Sequence, residues 1–224
     1  MLTRYHIRLL LEECREIGWN GLDNGVTASI PQLQLDLVEP PHDFLGVKGN
    51  PAVFINKNTY KLLGHLHENW VVNQTIALKT SFLKQQTVNV IGAIVHEAGH
   101  AFNVSAKIAN NEANAYIYEI EVMLKLLETN SPLLFGCTNN DIKSYFNERL
   151  PFYNKEISKN KHLAKLVDFI KEQFNLKEEA LLSKDSKRVS VFLTGVTLFT
   201  HSQWNKENEI VSSKMRLNAS FYKS

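Results

Sequence analysis

The chain has 224 residues, of which 44% are hydrophobic and 21% are charged. These are the proportions of a globular protein with a sizeable core, and they exclude a disordered chain. A formal net charge of +2 gives no strong electrostatic field, so we expect no nucleic-acid partner. Cys14 and Cys137 are too few for a disulfide framework, and we expect free buried thiols.

No stretch of the sequence approaches the roughly 18 consecutive apolar residues of a membrane span, so we expect no membrane partner. Glu12, Glu13 and Arg15 interrupt the first apolar stretch, a pattern that does not fit a signal peptide. We therefore expect a cytoplasmic protein, or one that is secreted without a signal peptide into the cytoplasm of a host cell.

The first third of the chain contains one predicted helix followed by short predicted strands. Apolar residues recur at helical spacing from Arg4 to Ile17. Leucines alternate with polar residues over 33–37, which predicts a half-buried strand, and Val53 to Ile55 reads as a short buried one. Thr75 to Phe82 is predicted to be a further strand, directly before the most informative helix.

The intervening stretch 62–72 has no clear periodicity, and we assign it to a strand. In an extended segment, His65 and His67 would lie on the same face. A metal site needs at least one more ligand, and none is nearby in the sequence. We therefore interpret both residues as surface histidines.

His96, Glu97 and His100 form an H-E-x-x-H arrangement inside the apolar run Val88 to Phe102. Histidines four residues apart on a helix lie one turn apart, so both imidazoles can reach one cation. Glu97 projects about 100° round the helix from His96, which makes it a poor third ligand but a suitable base for a nearby water. Because neutral imidazoles suit Zn²⁺, the motif predicts a zinc site.

The helix that carries the motif has two distinct faces. One is an apolar stripe, whereas the residues beside the histidines are small or polar, as expected for a helix that lines a cavity. Thr87 is a plausible N-cap. Gly99 costs about 1 kcal/mol of helix propensity relative to alanine, which indicates that a neighbouring element approaches closely there.

A second helix is predicted from Glu112 to about Glu128. Glu112 and Glu119 share a face of it, whereas Glu121 points away with Lys125 as a solvent-exposed pair of helical neighbours. Glu121 is therefore excluded from the predicted site. Of the other two glutamates, one is expected to be a ligand and the other a hydrogen-bond partner of a histidine.

The segment from Thr87 to Glu128 resembles the zincin metalloproteases. Asn111-Glu112-Ala113 is similar to the stretch that carries the third zinc ligand in thermolysin-like gluzincins, and this resemblance implies Glu112 as the ligand. The position four residues later, often an aspartate in that family, is Tyr116. The alternative ligand, Glu119, stays open, because it would be better placed if the His96 helix ran on to Ala109.

The zincin resemblance also implies a fold and a catalytic apparatus. In zincins an edge strand binds the substrate backbone by strand addition, and Thr75 to Phe82 either has that role or is an ordinary sheet strand. Zincins usually add a tyrosine, histidine or arginine that donates to the oxyanion. The candidates are Tyr116, Tyr153 and His201.

Beyond Pro132, helices are predicted from Asp141 to Glu148 and from Lys161 to Phe174, followed by Val189 to Phe199 as strand or buried helix and by a polar tail. The predicted fold class is α+β, with a small mixed sheet, the active-site helix and the glutamate helix. We expect a zincin catalytic lobe at 1–130 and a mainly helical lobe at 131–224, unless both form one compact domain.

The sequence thus predicts a zinc-dependent endopeptidase in which His96, His100 and Glu112 bind Zn²⁺ and Glu97 is the base. The chain is similar to effector proteases that intracellular bacteria inject into host cells, which implies a host protein substrate, such as the cytoskeletal protein actin. The alternative is a zinc-binding, peptidase-like sensor or interaction module. Structural zinc sites usually include cysteines and need no glutamate beside the first histidine, so the peptidase is favoured.

Overall fold

The computed structural model describes residues 2–38, 51–57 and 69–176, and over these ranges the fold is mixed α+β. No helix in the described ranges is both long and apolar enough to cross a membrane. The elements are α1 (Arg4–Asn20), β1 (Gln34–Val38), β2 (Ala52–Phe54), α2 (Asn69–Val72), β3 (Thr75–Lys79), α3 (Thr87–Ser105), α4 (Glu112–Glu128), α5 (Asn139–Glu156) and α6 (Lys161–Gln173).

The three strands form one mixed sheet in the order β1-β3-β2, with β1 parallel and β2 antiparallel to β3. The predicted strands near residues 33–37 and 53–55 are confirmed. The strand predicted from Thr75 to Phe82 ends at Lys79, and a 3₁₀ turn follows it. Because β3 is central and pairs along both edges, strand addition is excluded and the other predicted role, an ordinary sheet strand, is the one that fits. Strands β1 and β2 are the edge strands among the described residues.

Side-chain caps fix the start of most of the longer helices. Thr3 caps α1, Asn111 caps α4, and Thr138 forms a capping box with Asp141 at the start of α5. The prediction for α3 is wrong by one position, because Thr87 is its first residue and the N-cap, Gln86, makes no side-chain cap bond. Since no side-chain cap stabilises the start of this helix, we attribute its stability to the packing of its apolar faces.

Helix α3 packs against α1, β2 and α4. The close approach predicted at Gly99 is confirmed: a Cβ there would lie 3.1 Å from both the carbonyl oxygen of Ala115 and the Cβ of Tyr118. The glycine therefore allows α3 and α4 to pack closely at the level of the histidines.

The helices predicted near 141–148 and 161–174 are confirmed, although α5 is longer than predicted and continues through Pro151. The strand assigned to 62–72 is wrong where it can be compared, because Asn69–Val72 is helical. His65, His67 and Val189 to Phe199 lie outside the described residues.

One continuous apolar core joins both sides of the boundary predicted at residue 130. Ile91 and Phe102 on α3 belong to the same buried cluster as Phe146 on α5 and Ile170 on α6. Over the described residues the two parts are therefore packed together. The boundary itself and the helical character of 177–224 stay predictions. Both cysteines are free as predicted, and Cys14 is buried whereas Cys137 is partly exposed.

Candidate metal centre

Helix α3 presents two histidines toward the start of α4. The rings of His96 and His100 lie edge to face with their centroids 4.9 Å apart. His96 is buried, and the His100 side chain is 16% exposed. This arrangement follows from their spacing of four residues, which places them one turn apart on the same face.

Glu112 is the residue that completes the group. Its Oε2 lies 3.3 Å from His96 Nε2, and its Oε1 lies 3.6 Å from His100 Nε2. One ligand atom from each of the three residues falls within 4.8 Å of the others, a grouping that could hold a metal ion. Ligand atoms about 2.1 Å from one ion in tetrahedral geometry would be about 3.4 Å apart, and the distance from His96 Nε2 to Glu112 Oε2 is 3.3 Å.

The short connection between α3 and α4 places Glu112 opposite the histidines. Helix α3 ends at Ser105, later than the predicted end near Phe102 but well before Ala109. Lys107 adopts a left-handed backbone with φ of 58°, which reverses the chain, and α4 begins four residues after Ile108. The first turn of α4 is therefore level with His100, so Glu112 and not Glu119 faces both Nε2 atoms.

Both histidines are oriented by an oxygen acceptor behind them. His96 Nδ1 lies 2.8 Å from Glu119 Oε2, and His100 Nδ1 lies 2.8 Å from Asn110 Oδ1. Since a carboxylate or amide oxygen can only accept, each Nδ1 carries the proton and donates it. Each Nε2 is thereby left to bind a cation, which is the usual arrangement of metal-binding histidines.

Glu119 is completely buried and saturated with donors. Besides His96, it accepts hydrogen bonds from the hydroxyls of Tyr145 and Tyr153, each at 2.6 Å, and from the guanidinium of Arg149. The partnership between Glu119 and a histidine was predicted. The three donors from α5 were not, because a residue 26 to 34 positions away leaves no local sequence signal.

Glu97 lies beside the group but is not part of it. Its Oε2 accepts a hydrogen bond of 2.6 Å from the backbone N–H of Phe54, on the edge strand β2. Only 7% of Glu97 is exposed. The backbone donor fixes one of the two carboxylate oxygens. No side-chain pattern in the sequence could have indicated Phe54, since the donor is the main chain.

The predicted oxyanion donors differ in their surroundings. The ring of Tyr116 is fully buried, with its centroid 5.1 Å from that of His96, and its hydroxyl has no hydrogen-bond partner among the described residues. The hydroxyl of Tyr153 donates to Glu119, so the role predicted for it does not fit. His201 lies outside the described residues. Tyr116 therefore stays a prediction as oxyanion donor.

Burial and charge at the centre favour a cation. Burial disfavours the charged form of His96, but contacts with Glu112 and Glu119 outweigh it and raise the pKa of His96 to about 9. Burial likewise opposes ionisation of Glu112, yet the two imidazoles lower its pKa well below the usual range. Glu112 Oε2 is buried and accepts no hydrogen bond within the described ranges, although a cation would satisfy it.

The prediction for Glu121 is wrong. It is buried and does not pair with Lys125; its Oε1 lies 2.7 Å from His162 Nε2 on α6, and its Oε2 accepts the backbone N–H of Asp23. Lys125 pairs instead with Glu128. Helical spacing shows which residues of one helix could pair, but it does not show that α6 covers this part of α4.

Comparison with known proteins identifies no relative of this chain. No protein-family model, curated protein or solved structure matches it.

Proposed function

We propose that this chain is a zinc-dependent endopeptidase with the chemistry of the zincins. The observation that supports the proposal is the convergence of His96, His100 and Glu112, with Glu97 held beside them by the sheet. A structural zinc site uses four protein ligands, whereas a catalytic site typically has three ligands and a nearby carboxylate that does not bind the metal.

The ligand atoms favour zinc over the other common divalent cations. Calcium and magnesium prefer sites made of oxygen atoms alone, whereas two imidazole nitrogens and one carboxylate suit Zn²⁺. When bound, the ion would supply a Lewis acid that polarises a carbonyl and makes a water more acidic. Both imidazoles already direct Nε2 toward Glu112, so an ion would replace the Nε2 contacts with Glu112 while the hydrogen bonds of both Nδ1 atoms stay in place.

Glu97 is the proposed general base and acid. Its fixed oxygen is held by Phe54, and its other oxygen takes a proton from the water that attacks the scissile carbonyl. The same carboxyl group then donates that proton to the nitrogen of the leaving amine. A bound cation would stabilise the developing oxyanion, and Tyr116 is the proposed additional donor.

The proposed substrate is an extended segment of a protein chain. The N–H of Phe54 donates to the base, so strand β2 runs beside the reacting atoms, and among the described residues β2 pairs only with β3. An extended peptide that added to the outer edge of β2 would lie alongside Glu97. A host cytoskeletal protein such as actin is the proposed target class, on the basis of the effector resemblance alone.

The test is cleavage of proteins by the wild type and by Glu97→Gln. Each is loaded with zinc and incubated with purified actin and with cell lysate, and new peptide termini are identified by mass spectrometry. We expect termini only with the wild type, at a rate at least ~10²-fold above that of Glu97→Gln, while both proteins retain zinc. If the wild type binds zinc but generates no new termini, the sensor or interaction module is the better interpretation.

A further inference from the structure

A guanidinium group lies behind the candidate metal centre: Arg149 contacts Glu119, and Glu119 contacts His96. Arg149 on α5 meets Glu119 with two parallel hydrogen bonds, from Nε to Oε1 at 2.9 Å and from Nη2 to Oε2 at 2.5 Å. The Arg149 side chain is only 12% exposed, and Glu119 is completely buried. This two-point contact fixes the plane of the carboxylate as well as its position.

The oxygen held by Arg149 is the one that contacts His96. Glu119 Oε2 receives both Arg149 Nη2 and His96 Nδ1, the latter at 2.8 Å. Since arginine is always charged, its neighbour is held as an acceptor, which requires His96 to donate from Nδ1. The guanidinium thus acts through one carboxylate on the imidazole whose Nε2 faces Glu112.

Aromatic rings hold the guanidinium in place. Its central carbon lies 5.4 Å from the ring centroid of Tyr116 and 5.8 Å from those of Phe152 and Tyr153. At these distances the rings attract the cation and exclude water from it. A flexible lysine could not keep both the two-point contact and the ring contacts.

We propose that Arg149 is a positioning residue for the metal centre, acting through Glu119 to hold His96 in its metal-binding orientation. The inference rests on the proposed zinc site and adds to it a residue from outside the motif. It also accounts for the balance between positive and negative charges at the site. The three carboxylates of Glu97, Glu112 and Glu119 are balanced by one divalent cation and the Arg149 guanidinium. Without Arg149, the buried negative charge would exceed that of the ion.

The test is a double-variant cycle on zinc affinity in the full chain. Arg149→Met, Glu119→Gln and the double variant are titrated with zinc in competition with a chelating dye. We expect Arg149→Met to weaken zinc binding ~10–100-fold, as the loss of an outer hydrogen-bond partner does. The double variant should bind no more weakly than Glu119→Gln alone, since Arg149 acts only through that carboxylate. The double variant also contains no unpaired buried charge, so it tests the inference even if Arg149→Met does not fold.

Two matched controls separate positioning from simple packing. Tyr145→Phe and Tyr153→Phe each remove one neutral hydroxyl donor to Glu119 and leave the Arg149 contact in place, so each should change zinc affinity less than ~5-fold. Arg149→Lys should restore part of the affinity lost in Arg149→Met. The NMR signal of the His96 Nδ1 proton, recorded on the zinc-loaded protein, should shift in Arg149→Met and keep its wild-type position in Tyr145→Phe.

The outcomes distinguish this inference from the proposed function. If the wild type binds no zinc, the proposed metal site is wrong and the inference falls with it. If the wild type binds zinc and Arg149→Met binds it equally well, only the inference is wrong. Additive losses in the double variant would also overturn it, because Arg149 would then act by a route other than Glu119.

Discussion

At the scale of single residues, two glutamates on the same helix have different surroundings. Glu119 accepts bonds from three different side chains of α5 as well as from His96, so its oxygens have no free direction left for a cation. Glu112 contacts both imidazoles and keeps a buried oxygen without a hydrogen bond in the described part of the chain. These contacts support the proposal that Glu112 binds the ion and that Glu119 supports His96.

Substitution of each glutamate by glutamine should separate these roles. We expect Glu112→Gln to weaken zinc binding strongly, because a neutral amide replaces an anionic ligand. Glu119→Gln should weaken it ~10–100-fold, since the imidazole loses a charged acceptor but the ligands stay. Competition with a chelating dye measures both. Should Glu119→Gln empty the site while Glu112→Gln leaves it filled, the two assignments must be exchanged.

Zinc affinity should rise with pH well beyond neutrality. In the metal-free protein the pKa of His96 is raised from 6.5 to about 9, so below pH 9 a proton occupies the position that the ion needs. The raised pKa stabilises the metal-free fold below pH 6.5, and this stabilisation is lost as the pH rises through 9. Apparent zinc affinity should therefore increase about tenfold per pH unit from pH 7 to pH 9.

Calorimetry in buffers with different ionisation enthalpies would detect the displaced proton at pH 7.5. Glu119→Gln serves as the control, because the loss of one contact that raises the pKa of His96 should shift the rise in affinity to lower pH. A wild-type affinity that is constant between pH 7 and pH 9 would contradict the protonated His96.

Helical spacing predicted the residues that meet within one or two turns, and the zincin resemblance predicted Glu112, whereas the structure added further residues that meet across the fold. His96, Glu97 and His100 follow from spacing, because the geometry of a helix relates residues four apart. Asn110 contacts His100 directly, and Arg149 reaches His96 through Glu119. Neither residue has such a relation to its histidine. Their contacts depend on how α3, α4 and α5 pack, which local periodicity does not determine.

At the scale of elements, α5 can approach the centre only because α3 has a glycine one turn before His96. A Cβ at Gly92 would lie 2.1 Å from the Tyr145 hydroxyl, which is a severe overlap, and the same hydroxyl donates to Glu119. The absence of a side chain at position 92 therefore makes room for the ring that joins the two helices. The spacing of four residues places Gly92 on the same helix face as His96, but it gives no indication of the Tyr145 ring.

Gly92→Ala should destabilise the protein although alanine favours helices. The gain in helix propensity is about 1 kcal/mol, whereas forced displacement of a packed ring costs about 1–3 kcal/mol, and the loss of the Tyr145 bond adds to it. Urea denaturation of the metal-free protein measures the difference. Gly99→Ala is the control, because its added methyl group would meet neighbours at 3.1 Å and should cost less. Equal or greater stability of Gly92→Ala would contradict the close contact.

The sheet shows another limit of local patterns. Alternation predicted β1, and a short apolar run predicted β2, but neither pattern gave the order β1-β3-β2. Strand order depends on which edges meet after the chain has crossed over, and the burial of β3 on both faces is compatible with either a central or an edge position. The edge strand that contacts Glu97 is β2, which precedes the motif by more than forty residues.

At the scale of the whole molecule, the part of the chain after residue 132 contributes to both the core and the site. Arg149, Tyr145 and Tyr153 hold Glu119 from α5. Eight buried apolar side chains of α5 and α6 join the core formed by the first part: Ile142, Phe146, Leu150, Phe152, Leu163, Leu166, Val167 and Ile170. Each contributes about 1.5–3 kcal/mol on burial, so their combined loss is comparable to the whole net stability of about 5–15 kcal/mol of a typical domain.

Two truncations should therefore behave differently. A fragment of residues 1–204 lacks only the polar stretch from Asn205, which has few apolar residues, and should bind zinc with the affinity of the whole chain. A fragment of residues 1–132 leaves Glu119 without Arg149 and exposes the faces of α3 and α4 that α5 and α6 cover. Because a buried carboxylate without its partner is strongly destabilising, this fragment should neither unfold cooperatively nor retain zinc through gel filtration. Calorimetry measures whether each fragment unfolds cooperatively, and the bound zinc of each is measured after gel filtration. A 1–132 fragment that melts cooperatively and binds zinc as tightly as the full chain would show that α5 is dispensable for the site.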